Sequence, residues 1–409
     1  MKFREYQLEL IKKGTSIIEQ SKFLYLAMEV RTGKTLTSLG IYQNLRIKKL
    51  LFITKKKAIS SIEYDYRMLN PSFELTVINY ESLHKLPQTG WGGIVCDESH
   101  SLGAFPKPNK RSKQVKEIIR RSNPFVILMS GTPTPESYSQ MYHQVYGVPG
   151  NPFGGFKSFY AFAKQYIKIS QRKIGSMYVN DYSKGLRSIL DVMKPYTLNY
   201  TQKRAGFLTT TSEDVLRVRL KESTLNLISK LKKDLVVEGE SDVILADTSV
   251  KLMTKLHQLY SGTIKFESGN SMVVDYSKAK FIKKHFKNKK IGIFYKFKEE
   301  LNALKKVFGD DICVDLECFD TTDKNIALQI VSGREGISLS KAEALIYYNI
   351  DFSATSYWQS RDRMTTKDRL YNKIYWIFSY NGIEDEIYRA VVKKKDYTLN
   401  HFKRDLLTL

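Results

Sequence analysis

The feature that most constrains the fold is an alternation of short apolar runs with amphipathic stretches, and it occurs in two separate blocks. The amphipathic stretches, such as Lys56–Leu69 and Lys113–Arg121, have the character of helices. Short apolar runs bounded by charged or turn residues are typical of buried parallel strands. The runs are Leu50–Thr54, Ile94–Cys96 and Phe125–Met129 in the first block, and Ile291–Tyr295, Ala327–Val331 and Leu345–Tyr348 in the second. The pattern predicts an α/β chain with two parallel-sheet domains in tandem.

The region between the blocks, residues 150–275, has a different pattern. A turn-rich stretch at Asn151–Gly155 precedes polar, aromatic-rich segments and a helical spacing at Leu252, Leu256 and Leu259. We expect helical protrusions and the connection between the domains here. The predicted boundary lies near residue 205, which gives an N-terminal domain of residues 1–205 and a C-terminal domain of residues 206–409.

Several protein classes are disfavoured by the sequence. No apolar run is long enough to span a membrane, and the N-terminal residues lack the apolar core and cleavage site of a signal peptide. The cysteines are Cys96, Cys313 and Cys318, which give neither a disulfide framework nor a good zinc site. A cytoplasmic protein is therefore expected.

The charge of the chain indicates a polyanionic partner. Lys and Arg number 66 against 42 Asp and Glu, for a formal net charge of +24. The excess is clustered, for example between Lys107 and Arg121 and between Lys278 and Lys290. Such a surplus attracts nucleic acid, although a merely soluble basic surface is the alternative that composition leaves open.

Two segments have the chemistry of a nucleotide site. The first, Arg31-Thr32-Gly33-Lys34-Thr35, follows the apolar run Phe23–Ala27. A strand that leads through a Gly-Lys-Thr turn into a helix presents N–H groups to phosphates. In such a loop Lys34 reaches the β- and γ-phosphates, and the Thr35 hydroxyl is a ligand of Mg²⁺.

The second segment places adjacent carboxylates, Asp97 and Glu98, directly after a predicted buried strand. In a nucleotide-driven enzyme Asp97 would hold Mg²⁺, and Glu98 would orient and deprotonate the attacking water. Ser130-Gly131-Thr132-Pro133 follows another predicted strand. Alone it is a common turn, but it comes in order after the other two segments.

Taken in order, these segments resemble motifs I, II and III of superfamily 2 helicases, and in finer detail the Swi/Snf-like branch and its compact phage-encoded members. The resemblance covers essentially the whole chain. Further matching segments are Tyr6-Gln7 (adenine-reading), Leu51–Lys55 (motif Ia), Val77–Leu83, Ile293–Phe297 (motif IV), Gly333–Leu339 (motif V), Gln359–Arg363 (motif VI) and Ile383–Tyr388.

The resemblance implies two RecA-like domains that close on ATP with Mg²⁺ as cofactor. The nucleotide would be bound by Tyr6, Gln7, Arg31, Thr32, Gly33, Lys34 and Thr35, with Gln359 and Arg363 supplied by the second domain. Nucleic-acid backbone contacts would come from Lys55, Lys56, Asn79 and Tyr80 in the first domain and from Tyr295, Lys296 and Ser338 in the second.

Three positions depart from the family pattern. Arg31 stands where motif I customarily has a glycine, and Ser99 stands where an alanine is usual in motif II. The second arginine of motif VI falls on Thr366. Arg363 is therefore the expected arginine finger, with Arg361 or Arg369 as a second cation; a salt bridge is the alternative role for Arg361.

Three functions fit these residues: a DNA helicase or remodeller of branched DNA, a double-strand DNA translocase that does not separate strands, and an ATP-gated binding protein with weak hydrolysis. The expected partner is single-stranded, forked or branched DNA, with RNA compatible with the motifs and replication or recombination proteins as further partners. If the chain is phage-encoded, it would act in the host cytoplasm.

An aromatic cluster near the end of the first domain has two interpretations. Its members are Tyr142, Tyr146, Phe153, Phe156, Phe159, Tyr160 and Phe162. They could stack on bases, but they more often form the core of a protrusion.

Overall fold

The computed structural model describes residues 2–86, 90–135, 137–174, 177–239, 242–333, 337–366 and 368–393. The chain divides into two compact units, Met1–Phe207 and Leu208–Leu409. Each unit is built around its own six-stranded sheet. None of the helices described here combines the length and apolarity that crossing a membrane would require.

The first unit contains a parallel sheet with the strand order β3-β2-β4-β5-β1-β8, and a separate antiparallel hairpin formed by β6 and β7. Its strands are β1 (Phe23–Met28), β2 (Lys49–Thr54), β3 (Glu74–Asn79), β4 (Gly93–Cys96), β5 (Phe125–Met129), β6 (Ser170–Ile174), β7 (Met177–Asp181) and β8 (Thr197–Tyr200). Its helices are α1 (Glu5–Ser21), α2 (Lys34–Asn44), α3 (Ile59–Leu69), α4 (Lys110–Ser122), α5 (Met141–Val145), α6 (Phe159–Tyr166) and α7 (Ser188–Met193).

The second unit repeats the architecture with the strand order β15-β16-β14-β17-β18-β9, again all parallel. Its strands are β9 (Thr210–Val218), β10 (Val236–Glu238), β11 (Val243–Leu245), β12 (Thr263–Lys265), β13 (Ser271–Val273), β14 (Ile291–Tyr295), β15 (Ile312–Cys313), β16 (Asn325–Gln329), β17 (Ala344–Tyr347) and β18 (Tyr371–Ser379). Its helices are α8 (Glu222–Asp234), α9 (Ser249–Tyr260), α10 (Ser277–His285), α11 (Lys298–Phe308), α12 (Leu316–Thr321), α13 (Ile330–Gly333), α14 (Ala354–Ser360) and α15 (Glu384–Val392).

Both sheets are covered on their two faces. Alternate side chains of a strand point to opposite faces, and in β1 they belong to two different hydrophobic clusters: Phe23 and Tyr25 to one, Leu24 and Leu26 to the other. In the second unit Phe294 and Ile293 of β14 divide in the same way. This two-sided burial explains why the strands are continuous apolar runs rather than alternating ones.

The predicted fold class is confirmed, because both six-stranded sheets are parallel and alternate with helices. The strand runs match closely, except that β16 ends at Gln329 and Ile330 already begins α13. The expectation for residues 150–275 was too simple. This region contains the predicted helix α9, but also the unpredicted hairpins β6–β7, β10–β11 and β12–β13. The strands of the last two hairpins have only three residues each, too few for an alternation pattern.

The aromatic cluster near residue 150 is a packed core, as the commoner interpretation held. Tyr142, Phe153, Phe159 and Phe162 are buried and pack edge-to-face or tilted against one another, whereas Tyr160 is exposed. Since the buried rings are enclosed by protein, stacking on bases is not their role in this structure.

Candidate nucleotide-binding site

The loop between β1 and α2 has a backbone that few residue types can adopt. Gly33 precedes α2 with a φ of 80°, and a Cβ at this position would lie 2.3 Å from Nε2 of Gln7. The left-handed conformation is therefore the reason that favours glycine here, since the Gln7 side chain could move aside. Arg31 has a φ of 63°, so the residue that replaces the customary glycine still adopts the left-handed conformation. This conformation costs a non-glycine residue about 1 kcal/mol.

Lys34, the first residue of α2, directs its ammonium group back along this loop. Its Nζ donates to the carbonyl oxygens of Met28 (2.9 Å) and Glu29 (3.3 Å). Gly131, which follows β5, lies beside it, since a Cβ there would be 3.7 Å from Nζ of Lys34. The loops after β1 and β5 thus meet at one edge of the sheet, because the carboxyl ends of parallel strands share an edge.

Asp97 follows β4 at the same edge and is held in a buried setting. Its Oδ2 accepts a hydrogen bond from Thr54 Oγ1 at 2.8 Å, and its main-chain oxygen accepts one from Tyr80 Oη at 2.6 Å. Burial, and next the charge of Glu98, raise the pKa of Asp97 to about 6, against the opposing effects of Lys34 and Thr54. Because its surroundings disfavour the ionised form of Asp97, a bound cation would stabilise this carboxylate.

Glu98 has a left-handed backbone, with a φ of 47°. Its Oε2 lies 3.3 Å from Nδ1 of His100, and the same nitrogen lies 3.0 Å from Oγ of Ser130. Ser130 Oγ also accepts from the main-chain N–H of Thr132 at 3.1 Å. His100 therefore connects the carboxylate segment after β4 to the Ser-Gly-Thr-Pro segment after β5.

A second connection passes through Gln144 of α5, a residue that the sequence did not single out. Its Oε1 accepts from Tyr25 Oη at 2.8 Å, and its Nε2 donates to the carbonyl oxygen of Pro133 at 2.7 Å. Tyr25 Oη is also 3.0 Å from Oγ of Ser99. Ser99 thus has a partner that an alanine would lack, which explains the departure at this position. No sequence pattern identifies Gln144, because its partners are distant in the chain.

Tyr6 and Gln7 of α1 contact the phosphate loop through its backbone. Tyr6 Oη donates to the carbonyl oxygen of Thr32 (3.1 Å), and Gln7 Nε2 donates to that of Gly33 (3.3 Å). The Tyr6 ring also stacks on Tyr200 at a centroid distance of 4.6 Å. The two residues therefore brace the loop, and adenine recognition by them stays a prediction.

The predicted nucleic-acid contacts in the first unit differ in accessibility. Lys56 is exposed, and Lys55 and Asn79 are half-buried. Tyr80 is only 1% exposed, and its hydroxyl binds the main chain of Asp97. The prediction that Tyr80 contacts nucleic acid is therefore corrected: its ring packs in the core because the turn after β3 directs it inward.

In the second unit, Lys296 forms an internal ion pair, and its contact with nucleic acid stays a prediction. Its Nζ lies 2.6 Å from Oδ1 of Asp351 and 4.1 Å from the ring centroid of Phe352. Although burial raises the pKa of Asp351, the Lys296 charge and the hydrogen bonds to the carboxylate together lower this pKa below its ordinary value. In this structure the positive charge of Lys296 is therefore paired with the Asp351 carboxylate. Tyr295 is half-buried and Ser338 is exposed. Residues 334–336 of motif V lie outside the described residues.

The motif VI arginines are all engaged within the second unit. Arg363 is 7% exposed; its Nε donates to the carbonyl oxygen of Gln359 (2.9 Å) and its Nη1 to that of Ile337 (3.4 Å). Arg361 forms an ion pair with Glu213, with 2.6 Å between Nη2 and Oε1. Arg369 donates to the carbonyl oxygens of Tyr371, Ser340 and Glu343. Gln359 is buried at the end of α14.

A comparison with known protein families shows to which family the chain belongs. Residues 49–263, more than half of the 409-residue chain, match the SNF2-related domain family. The chain belongs to this family. The resemblance to the Swi/Snf-like branch of superfamily 2 is thereby confirmed, and with it an ATPase core that uses ATP. The resemblance to phage-encoded members stays a prediction.

Two solved structures are similar to this SNF2-related chain. The SWI2/SNF2 ATPase core of Sulfolobus solfataricus in complex with dsDNA is 16% identical, with a TM-score of 0.43 over 100% of this chain and 93% of that chain. The core domain from the same organism is 15% identical, with a TM-score of 0.43 over 100% of this chain and 90% of that chain. No curated protein matches the sequence.

Proposed function

We propose that the chain is a DNA-dependent ATPase that uses hydrolysis to move on DNA, and that it unwinds or remodels branched DNA. The observation that supports this most is the convergence of Lys34, Asp97, Glu98 and Ser130 at one sheet edge, in a chain of the SNF2-related family. These four residues come from three different loops and have the groups that phosphoryl transfer requires.

In the first unit Lys34 would neutralise charge on the β- and γ-phosphates of ATP, and Thr35 and Asp97 would hold Mg²⁺. The donors fit this ion, because Mg²⁺ prefers oxygen ligands and is bound in proteins by one or two carboxylates together with substrate phosphates. Among the residues that the structure describes there is no cluster of three His, Cys, Asp or Glu side chains suited to a metal. Bound Mg²⁺ would neutralise charge on the phosphates, and it would relieve the unfavourable burial of the Asp97 carboxylate.

Glu98 is the proposed general base that orients and deprotonates the attacking water. The Glu98 carboxylate lies 3.3 Å from His100 Nδ1, which in turn lies 3.0 Å from Ser130 Oγ, so these neighbours favour one orientation of the carboxylate before substrate binds. Preorganisation of this kind contributes to the rate because the reacting groups need not reorganise.

The second unit contributes Arg363, with Gln359, to the transferring phosphoryl group in this proposal. Lys55, Lys56, Asn79, Tyr295 and Ser338 then contact the DNA backbone. Such contacts position the enzyme without reading sequence. The net charge of +24 supports a polyanionic partner and predicts binding that weakens steeply with salt.

An assay panel tests the proposal. Phosphate release is measured with single-stranded, duplex, forked and four-way DNA, with RNA as the control. Stimulation by DNA is expected, and an absence of any ATPase would contradict the proposal. Strand separation of a forked substrate then distinguishes a helicase from a translocase, which would displace a triplex strand without opening the duplex.

A binding protein with weak hydrolysis is the second candidate. It is favoured by Thr366, which stands at the second arginine of motif VI, and by the internal ion pair of Arg361. Turnover that is slow on every DNA, together with ATP-dependent DNA binding, would support this candidate over the motor.

A further inference from the structure

Glu213, on the edge strand β9, has an unusually large number of hydrogen-bond donors around one carboxylate. Its side chain is 11% exposed. The donors are Tyr357 Oη at 3.1 and 3.0 Å, Trp376 Nε1 at 3.0 Å, Tyr388 Oη at 3.3 Å and Arg361 Nη2 at 2.6 Å. A carboxylate offers about four acceptor positions, so Glu213 is close to saturated.

These donors come from several different segments around motif VI. Tyr357 lies on α14, Arg361 directly follows it, Trp376 lies on β18 and Tyr388 lies on α15. One carboxylate on β9 therefore ties the motif VI helix both to the sheet and to the C-terminal helix. Because a buried carboxylate that loses its partners is costly, the whole arrangement favours a single geometry.

Arg361 is held by two aromatic rings as well as by an ion pair. Besides the contact with Glu213, its guanidinium lies 4.8 Å from the ring centroid of Trp358 and 5.4 Å from that of Tyr357. Its charge is neutralised within the unit. Arg363, two residues later, donates to the carbonyl oxygens of Gln359 and Ile337.

We propose that Glu213 is a positioning residue for ATP hydrolysis: it holds Arg361 as an anchor of motif VI, and so sets the position from which Arg363 acts. The inference rests on the proposed function. It assigns different roles to two arginines of the same segment, and it places the controlling carboxylate about 150 residues away in sequence, where no motif lies.

Glu213→Gln tests the proposal, since it keeps the size of the side chain but removes the charge that binds Arg361. We expect the DNA-stimulated kcat to fall about 10- to 100-fold, the size of effect seen when reacting groups are displaced by about 1 Å. The KM for ATP should stay within about twofold, because the proposed phosphate contacts belong to the first unit.

Arg217→Gln is the matched control. Arg217 lies on the same strand and forms an ion pair with Asp385 of α15 at 2.5 Å, so it joins β9 to α15 without involving motif VI. Its kcat should remain within about twofold of the wild type. Arg361→Gln should reproduce the effect of Glu213→Gln, and the double variant should be little slower than either single variant.

The outcomes are distinguishable. If the wild type hydrolyses no ATP, the proposed function fails. If the wild type is active and Glu213→Gln keeps its kcat, or if the two single effects multiply, the role of Glu213 is contradicted. An equal loss in Arg217→Gln would show a general structural effect and also overturn the proposal. Should Glu213→Gln not fold, Arg361→Gln, which leaves Glu213 its three other donors, carries the same test.

Discussion

The two units have closely similar sheets but use their charged residues in opposite ways. In the first unit one cation, Lys34, lies among main-chain oxygens close to the adjacent carboxylates Asp97 and Glu98. In the second unit Lys296 and Arg361 are paired with the internal carboxylates Asp351 and Glu213. The difference supports the proposal that the first unit binds the nucleotide, whereas these two ion pairs of the second unit fix the geometry of its motifs.

Lys34→Ala should have the largest effect. Removal of the ammonium leaves the phosphates without their main protein cation, so we expect ATPase to fall by about 10³-fold or more. Steady-state phosphate release measures it. Lys12→Ala, an exposed residue of α1, is the control and should be silent. Wild-type ATPase activity in Lys34→Ala would show that ATP is not bound at Lys34.

Arg363→Ala tests whether the second unit contributes to hydrolysis. As the expected arginine finger, Arg363 should contribute about 10²- to 10³-fold to kcat and little to ATP affinity. Nucleotide binding by fluorescence and turnover by phosphate release separate the two quantities. Arg361→Ala should be less severe than Arg363→Ala; the reverse order would mean that Arg361 is the finger and that our assignment within motif VI is wrong.

Gln144→Leu tests whether the buried network of the first unit positions its motifs. The substitution removes the acceptor of Tyr25 and the donor to Pro133, so kcat should fall about 3- to 10-fold, with a loss of about 2 kcal/mol in stability. Ser112→Ala is the matched control, because it removes a single buried hydrogen bond of 3.0 Å to the carbonyl oxygen of His143. Equal kcat values for the two variants would show that Gln144 contributes to stability but does not position the motifs.

Asp97→Asn should raise the stability of the unliganded protein, with a characteristic pH dependence. The folded pKa of about 6 lies above the ordinary 3.8, so the buried charge costs stability above the folded pKa, and this cost disappears as pH falls towards the unfolded pKa. Without Mg²⁺ or nucleotide, the variant should be more stable by on the order of 1–3 kcal/mol at neutral pH. Thermal unfolding measures the gain, which should shrink between about pH 6 and pH 4.

The exposed Asp234 provides the control for this measurement, since Asp234→Asn should give no such pH-dependent gain. A loss of stability in Asp97→Asn at neutral pH, or a gain that grows in acid, would show that the Asp97 carboxylate is stabilising in the folded protein.

The sequence could predict which residues lie near the ends of strands, but not which side chains far apart in the chain contact each other. Asp97 and Ser130 directly follow β4 and β5, and Lys34 follows the loop that leaves β1, so a correct strand order is enough to bring them to one edge. Gln144 and Glu213 could not be found in this way, because their partners lie up to about 120 and 175 residues away. The burial of Tyr80 and the ion pair of Lys296 could not be predicted for a related reason, because only the packed structure defines what a long side chain contacts.

Glu98→Gln gives the most direct test of the central claim, that the edge of the first sheet is the site of ATP hydrolysis. The variant keeps the shape of the side chain but cannot accept a proton from water. It should bind ATP with Mg²⁺ about as tightly as the wild type, and single-turnover hydrolysis should slow by about 10²- to 10⁴-fold. Hydrolysis at the wild-type rate, with ATP bound normally, would remove Glu98 from the reaction and contradict the account.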